Sequence, residues 1–576
     1  MMKYPKIEDN NFYEKINKLF SYYKTPKKKK SFDEICFPKE FKLQLPQLFV
    51  SHFIHPNTPY KGLLVYHKIG SGKSITAIRV AEEWKHYKKI MVLVPASLKG
   101  NFRGELRTPA TGNEYLKKEE REKLSKLQPN DSEYTEIIKK SDERIDKYYT
   151  IYSYNKFTEL ALDGKINLKN TLLIIDEIQN MVSEEGNFYN VLYEQISNAP
   201  KDLRIILLSA TPMFDKPHEI ALTMNLLRLP KEMPTGRKFD KSFIQIKKTV
   251  SGKYNYHLKN VDQFKQYIRG YISYFQGAPS YVFPETKIKY IKCEMSDFQF
   301  QAYRDVIRGE ERNYDMSRIK YDIAEELSVR DLPNNFFIGT RIVSNIVFPN
   351  KKINEAGYNS LKEKHIKEQL EKYSIKFFKI IKKIRKKEKI FIYSGFKGYG
   401  GIKSLVKVLE TFGYKNYLEH GQGTKRFALW TGDQNIKQKN EIKAIYNQKS
   451  NMDGSKLKII IGSSAIKEGV SLLGLKQIHI LEPYWNFQRL FQVIGRGSRF
   501  CSHKDLPIEE RYLNVYIYVA TREEIETVDL YLNYLAKQKL KLVREFEKIV
   551  KEAAIDCELN YYANINENEE PIVCDK

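Results

Sequence analysis

The chain has 576 residues, enough for two to four domains at roughly 150 residues each. Lys and Arg outnumber Asp and Glu by 98 to 71, a formal charge of +27, which excludes a neutral surface and favours a polyanionic partner, nucleic acid or an acidic membrane face. A hydrophobic content of 41% with 13% aromatic excludes global disorder, no apolar run nears the ~20 residues of a membrane span, and the polar start is no signal peptide.

Residues 1–36 read as a polar N-terminal extension whose run Lys27–Lys30 is a solvated basic loop. From Phe37 to residue 235, short apolar runs alternate with charged, periodic stretches. The runs are Leu63–Tyr66, Ile90–Val94, Thr150–Tyr152, Thr171–Ile175 and Ile205–Leu208. Runs of this kind predict strands covered on both faces, hence a parallel sheet with crossover helices. The charged stretch 113–147 predicts a helical surface insertion. Residues 236–388 lack the alternation and read as a mixed helical linker, with a basic helix near its end (Lys382–Lys389) suited to phosphate contacts. A second alternating block spans 389–520, with strands at Ile390, Ala428–Leu429, Lys458–Ile461, Gln477–Leu481 and Val515–Val519. Residues 521–576 read as a helical tail. The five cysteines, Cys36, Cys293, Cys501, Cys557 and Cys574, are scattered without CxxC spacing. That argues against a disulfide framework and a zinc ribbon and fits a reducing compartment.

The first strand runs into His67-Lys68-Ile69-Gly70-Ser71-Gly72-Lys73-Ser74 and then a predicted helix, the order of a phosphate-binding loop. Gly70, Ser71 and Gly72 let backbone N–H groups converge on phosphate at a helix N-terminus. Lys73 would neutralise the β- and γ-phosphates of ATP, and Ser74 would ligate Mg²⁺. His67 stands where the usual pattern has Gly. The strand Thr171–Ile175 ends in Asp176-Glu177-Ile178-Gln179, where Asp176 would hold Mg²⁺ and Glu177 would polarise the attacking water. A lone acidic pair more often caps a helix; a strand end about a hundred residues past the loop favours the catalytic role. Ser209 and Thr211 follow the next strand and would sense the metal site. Gln47 sits upstream, about where an adenine-reading glutamine belongs.

In the second block, Gln492-Val493-Ile494-Gly495-Arg496-Gly497-Ser498-Arg499 reads as helical, with Arg496 and Arg499 on one face. Arginines so placed can stabilise charge on a transferring phosphoryl group. Ser463 would bond a nucleic-acid phosphate, Gln492 would couple nucleic acid to the site, and Gly469 would allow close backbone approach to the nucleotide.

In this order, GSGKS, PASL, DEIQ, SATP, IFIYSGF, GSSAIKEGVSL and QVIGRGSR resemble the motifs of a superfamily 2 helicase. The segments Thr58–Ser74, Ser209–Ile220, Tyr399–Ile402, Glu482–Pro507 and Ala554–Cys557 are similar to the poxvirus-type group. That group includes nucleoside triphosphatase I, the small subunit of the viral early transcription factor, and relatives in large cytoplasmic DNA viruses and linear cytoplasmic plasmids. The resemblance implies two RecA-like α/β lobes with a mixed insertion between them and a helical tail. It implies ATP in a cleft, nucleic acid (DNA favoured) across both lobes, no membrane, and DNA-stimulated ATP hydrolysis in cytoplasmic transcription with RNA polymerase or other transcription proteins as partners. Two activities fit: a translocase or helicase, or a bridging subunit whose ATPase times assembly or release. DEIQ departs from DEAD or DEAH, so Gln179 would have to take the coupling role of the histidine, and Ser471 stands where classical members have Asp.

Overall fold

A computed structural model describes residues 4–127, 131–182, 186–214, 216–248, 254–311, 337–384, 387–463, 470–565 and 571–576. The chain divides into two compact units, residues 1–280 with 542–576, and residues 281–541.

The first unit is built on six parallel strands: β1 (Gly62–His67), β2 (Lys89–Val94), β3 (Tyr149–Ser153), β4 (Thr171–Ile175), β5 (Arg204–Ser209) and, past a small antiparallel hairpin of β6 (Ile244–Lys248) and β7 (Tyr254–Leu258), β8 (Ile272–Phe275). Their order across the sheet is β3-β2-β4-β5-β1-β8. β1 and β4 are buried at every position, as expected of runs covered by helices on both faces. Register places Leu64 beside Leu207 and Ile175 beside the same Leu207, so the C-terminal ends of β4, β5 and β1 lie side by side. Ligands bind at that edge of a parallel sheet. The stretch expected as a surface insertion carries helices Lys118–Leu124 and Ser132–Asp146.

The second unit carries seven parallel strands: β9 (Glu285–Glu294), β10 (Ile390–Tyr393), β11 (Lys415–Asn416), β12 (Arg426–Trp430), β13 (Ile459–Gly462), β14 (Gln477–Ile480) and β15 (Tyr512–Thr521). They are ordered β11-β12-β13-β10-β14-β15-β9, and β9 runs alongside β15 for ten residues. Two parallel α/β sheets match the expected fold class.

The segment boundaries differ from the sequence expectation. Residues 1–36 are no loose extension: Phe12, Tyr13, Ile16 and Phe20 are buried with Phe49, Phe53 and Tyr60 in the core of the first unit. Lys27–Lys30 are exposed outside helix and strand, as expected. Residues 236–388 form no separate linker. β8 closes the first sheet and β9 the second, both as edge strands; β8 is a buried run of only four residues that includes Ser273, and β9 is mostly exposed, so neither shows the longer apolar run that marked the others. The tail is partly core as well, since Ile555 and Leu559 pack with Phe12 and Phe49. Cys557 is joined to Cys574 by a disulfide, a departure from the reducing-compartment reading; sequence spacing does not reveal which cysteines a returning tail brings together. Among the described residues, no helix is long and apolar enough to cross a membrane.

Candidate functional site

The loop after β1 turns through Gly70 (φ 82°) and Gly72 (φ 78°), a left-handed backbone that favours glycine. Gly72 is the N-cap of the helix Lys73–Trp84, which sets Lys73 and Ser74 in its first turn. Gln47 buttresses this loop. Its Nε2 donates to the Ser71 and Gly72 carbonyls at 3.4 and 3.3 Å, and its Oε1 accepts the Gln44 N–H at 2.9 Å. Gln47 is buried, so in this structure it holds the loop. None of the described residues pairs with the Lys73 ammonium, and Ser71 Oγ is buried without a partner.

Asp176 follows β4, with its N–H donating to the Leu93 carbonyl at 2.9 Å. Burial and then the charge of Glu177 push the Asp176 carboxyl up to about 7, with Lys73 opposing. A buried carboxylate in sight of an ammonium and beside a second carboxylate is a natural cation site. With Ser74 it fits Mg²⁺, whose positive charge would replace the proton. Glu177 adopts a left-handed backbone (φ 52°), and the Tyr154 hydroxyl donates to the carbonyls of Asp176 and Glu177.

Gln179 joins the acidic pair to the next strand. Its Nε2 donates to Glu177 Oε2 at 2.5 Å, and its Oε1 accepts the Ser209 hydroxyl at 2.6 Å. Ser209 Oγ in turn accepts the Thr211 N–H at 3.0 Å. An amide has a donor and an acceptor on one fork, so it bridges a carboxylate and a hydroxyl.

The second unit places its predicted residues differently. The helix Phe487–Ile494 ends at Gly495, so Arg496 and Arg499 lie in the turn beyond it. Each folds back as a C-terminal cap: Arg496 Nε donates to the Gln492 carbonyl at 3.0 Å, and Arg499 Nε to the Gly495 carbonyl at 2.9 Å. Glycines at 495 and 497 stop the helix, and cationic side chains suit its unpaired carbonyls. Arg496 Nη1 also reaches the Val470 carbonyl at 3.4 Å. Ser463 is buried past β13, its N–H on the Trp430 carbonyl at 3.3 Å. Gly469 lies outside the described residues. The basic helix expected near Lys382–Lys389 ends at Lys383, and Lys389 is buried with its ammonium on the carbonyls of Tyr446 and Leu473. Lys389 is a strut of the sheet edge and no phosphate contact; burial pushes its ammonium down to about 7.

Sequence reasoning missed a buried network at the strand ends of this unit. Glu482, just past β14, accepts the Ser394 hydroxyl, the Gly395 N–H and Asn345 Nδ2. Lys376 Nζ bonds Asn345 Oδ1 at 3.0 Å and Asp529 Oδ2 at 2.6 Å, with both charged side chains essentially inaccessible. Arg341 is buried against the rings of Phe396 and Trp485. Only a charged residue inside an apolar stretch, as at Lys376 in Ile375–Phe377, hinted at this.

A family model described as type III restriction enzyme, res subunit, matches residues 26–214. A protein of Acanthamoeba polyphaga mimivirus, whose name calls it an ATP-dependent RNA helicase, is 48% identical over 100% of this chain and 99% of its own length. A protein of Invertebrate iridescent virus 3 named as a helicase is 28% identical over 97% of this chain and 57% of its own. The termination factor NPH-I homolog of African swine fever virus (isolate Tick/South Africa/Pretoriuskop Pr4/1996) is 27% identical over 87% of this chain and 77% of its own.

Proposed function

The chain belongs to the superfamily 2 helicases of large DNA viruses and is an ATP hydrolase; from that premise we propose that it is a DNA-dependent translocase or helicase of viral transcription. The observation that carries the reading is the edge of the first sheet, where β1, β4 and β5 end side by side: β1 runs into the loop whose following helix opens with Lys73, β4 is followed by Asp176, and β5 ends in Ser209. Lys73 neutralises the phosphates, and Glu177 takes the proton of the attacking water. Ser74 and Asp176 would hold Mg²⁺, which supplies charge stabilisation at the phosphates. The Glu177–Gln179–Ser209 chain carries the state of the nucleotide toward Thr211. Arg496 and Arg499 stabilise charge on the transferring phosphoryl group. Nucleic acid is gripped mainly through phosphates, in keeping with the charge of +27. Transcription is the setting that the name of the African swine fever virus relative supports, with RNA polymerase or another transcription protein as partner.

The test measures ATP turnover with single-stranded DNA, duplex DNA and RNA at several salt concentrations, and strand displacement beside it. DNA stimulation that falls steeply with salt is expected. Stimulation by RNA alone would replace DNA as the track, in line with the name of the mimivirus relative. ATP turnover without strand displacement would favour a factor that times assembly or release.

A further inference from the structure

Three consecutive residues at the entrance of the phosphate loop are tied to the C-terminal segment. Tyr66 donates its hydroxyl to Glu547 Oε1 at 2.7 Å, and Lys68 Nζ meets the same oxygen at 3.4 Å. Burial pushes the Glu547 carboxyl up, but Lys68 and the Tyr66 hydroxyl outweigh it and hold it below its ordinary value. Between them, His67 Nε2 lies 2.9 Å from Ser273 Oγ, and Ser273 donates its hydroxyl to Asp556 Oδ2 at 2.6 Å. Where Asp556 is ionised, the one proton of the Ser273 hydroxyl goes to the carboxylate, so His67 Nε2 is then the donor to the serine and Nδ1 keeps its lone pair. That Nδ1 is buried without a partner among the described residues, as is Ser71 Oγ in the same loop.

The segment also grips β8, the edge strand beside β1. Ile555 donates its N–H to the Ile272 carbonyl at 2.8 Å, and Asp556 Oδ1 accepts the Tyr274 N–H at 2.9 Å. Asn560 Nδ2 donates to the Tyr274 carbonyl at 3.1 Å, and Asn564 Oδ1 accepts the Gln276 N–H at 2.8 Å. Just past β8, a Cβ added at Gly277 would come 3.3 Å from Ser71 Cβ. The segment therefore reaches the loop at His67 through Ser273, and it holds Gln276, next to the glycine that lies against Ser71. Covering the sheet edge accounts for Asp556 Oδ1, which takes the Tyr274 N–H. It does not account for Oδ2, which besides Asn560 Nδ2 takes the Ser273 hydroxyl and through it faces the first residue of the phosphate loop.

We propose that Asp556, acting through Ser273 and His67, is a positioning residue for the phosphate loop, so that residues 554–564 are a working part of ATP hydrolysis. The inference rests on the reading of that loop as the ATP site. His67, in the place where this loop type usually has glycine, is the receiving end of the relay.

The experiment uses the full chain with saturating DNA. It compares Asp556→Asn, Ser273→Ala, His67→Gln and the Asp556→Asn/His67→Gln pair, with thermal midpoints recorded for each. Each single change is expected to lower kcat about tenfold with little change in KM for ATP, as misplacement of a reacting geometry does. The pair should be no slower than its slower member, because both cut one chain. Ser273→Ala leaves the main-chain grip on β8 intact and carries the test if Asp556→Asn does not fold. Wild-type kcat in Asp556→Asn and Ser273→Ala, strictly additive losses in the pair, or failure of both variants to fold would each overturn the relay. Lys73→Ala separates the two readings. If it still turns over ATP, the loop is not the ATP site; if it is dead while the relay variants match wild type, only the relay falls.

Discussion

Both units end parallel strands in loops that carry polar and charged groups, yet the two edges are used in opposite ways. In the first unit the groups are left open. Lys73 has no partner among the described residues, Ser71 Oγ has none, and the Asp176 carboxyl accepts only the N–H of Glu177 at 2.9 Å. In the second unit the groups are mostly paired with one another, in a chain from the Ala520 N–H through Asp529, Lys376, Asn345 and Glu482 to Ser394, with Asp529 Oδ1 and Arg341 Nε left over among the described residues. An open polar edge stores binding capacity for a ligand that brings its own charge, while a closed one only stiffens the sheet. Substitutions should therefore act on turnover in the first unit and on stability in the second.

The sharpest way to break that contrast is Lys73→Ala. Steady-state phosphate release should fall to background while DNA binding and the thermal midpoint stay near wild type; an unfolded Lys73→Ala would mean that this edge is structural too. Next comes Asp529→Asn. It leaves the Lys376 ammonium buried without its counter-charge, a loss of about 3–5 kcal/mol in urea unfolding. A change under about 1 kcal/mol would show that the network is not closed as described.

Arg499→Ala tests where the arginines belong. Arg496 is buried on the Gln492 and Val470 carbonyls, and Arg499 caps the Gly495 carbonyl, so Arg499→Ala removes at least one helix-capping bond. If Arg499 serves the phosphoryl group, turnover drops roughly 10²–10³-fold at nearly unchanged ATP affinity. Wild-type turnover with a lowered thermal midpoint would leave it a helix cap. A smaller effect is expected for Gln179→Ala, about tenfold in nucleic-acid-stimulated turnover with the unstimulated rate less affected. Equal loss in both rates would make Gln179 a support for Glu177 alone.

The phosphate loop was legible because everything it needs is local: a buried strand, two glycines with positive φ, and a helix start within a dozen residues. The acidic pair and Ser209 were legible because they recur at ends of equally apolar strands. Edge strands β8 and β9 were not: β8 is buried throughout but is only four residues long and interrupted by Ser273, and β9 mixes Lys287, Lys289 and Lys292 with Ile288 and Tyr290. Arg496 and Arg499 lie beyond the helix expected for them, because their spacing of three suits a helix face while the helix ends at Gly495. Asp556 could be noticed only as an acid in an apolar stretch. Its partner Ser273 lies 283 residues away, and no periodicity connects the two.

The finest test of the first edge is a pH dependence to which one buried pair should add almost nothing in the wild type, beneath the slopes that other buried groups such as Asp176 supply. Burial pushes the Asp556 carboxyl up from 3.8 to about 7. The folded chain then keeps a proton that the unfolded chain releases, so this group's stabilisation is full below about 4 and is lost as pH rises through about 7. Burial, then the charge of Lys73, pulls the His67 ring down from 6.5 to about 3. Its contribution is present above 6.5 and lost as pH falls through about 3. Between about 4 and 6.5 the two slopes oppose each other, each at most about 1.4 kcal/mol per pH unit, and the pair together contributes almost none. Removing one partner exposes the other. His67→Gln should gain stability on acidification across that window, and Asp556→Asn should lose it, read as urea midpoints at pH 4.5 and 6.5. Parallel pH profiles in wild type and both variants would mean that neither group keeps its proton state on folding, and the first unit's open edge would then have no titrating strut beneath it.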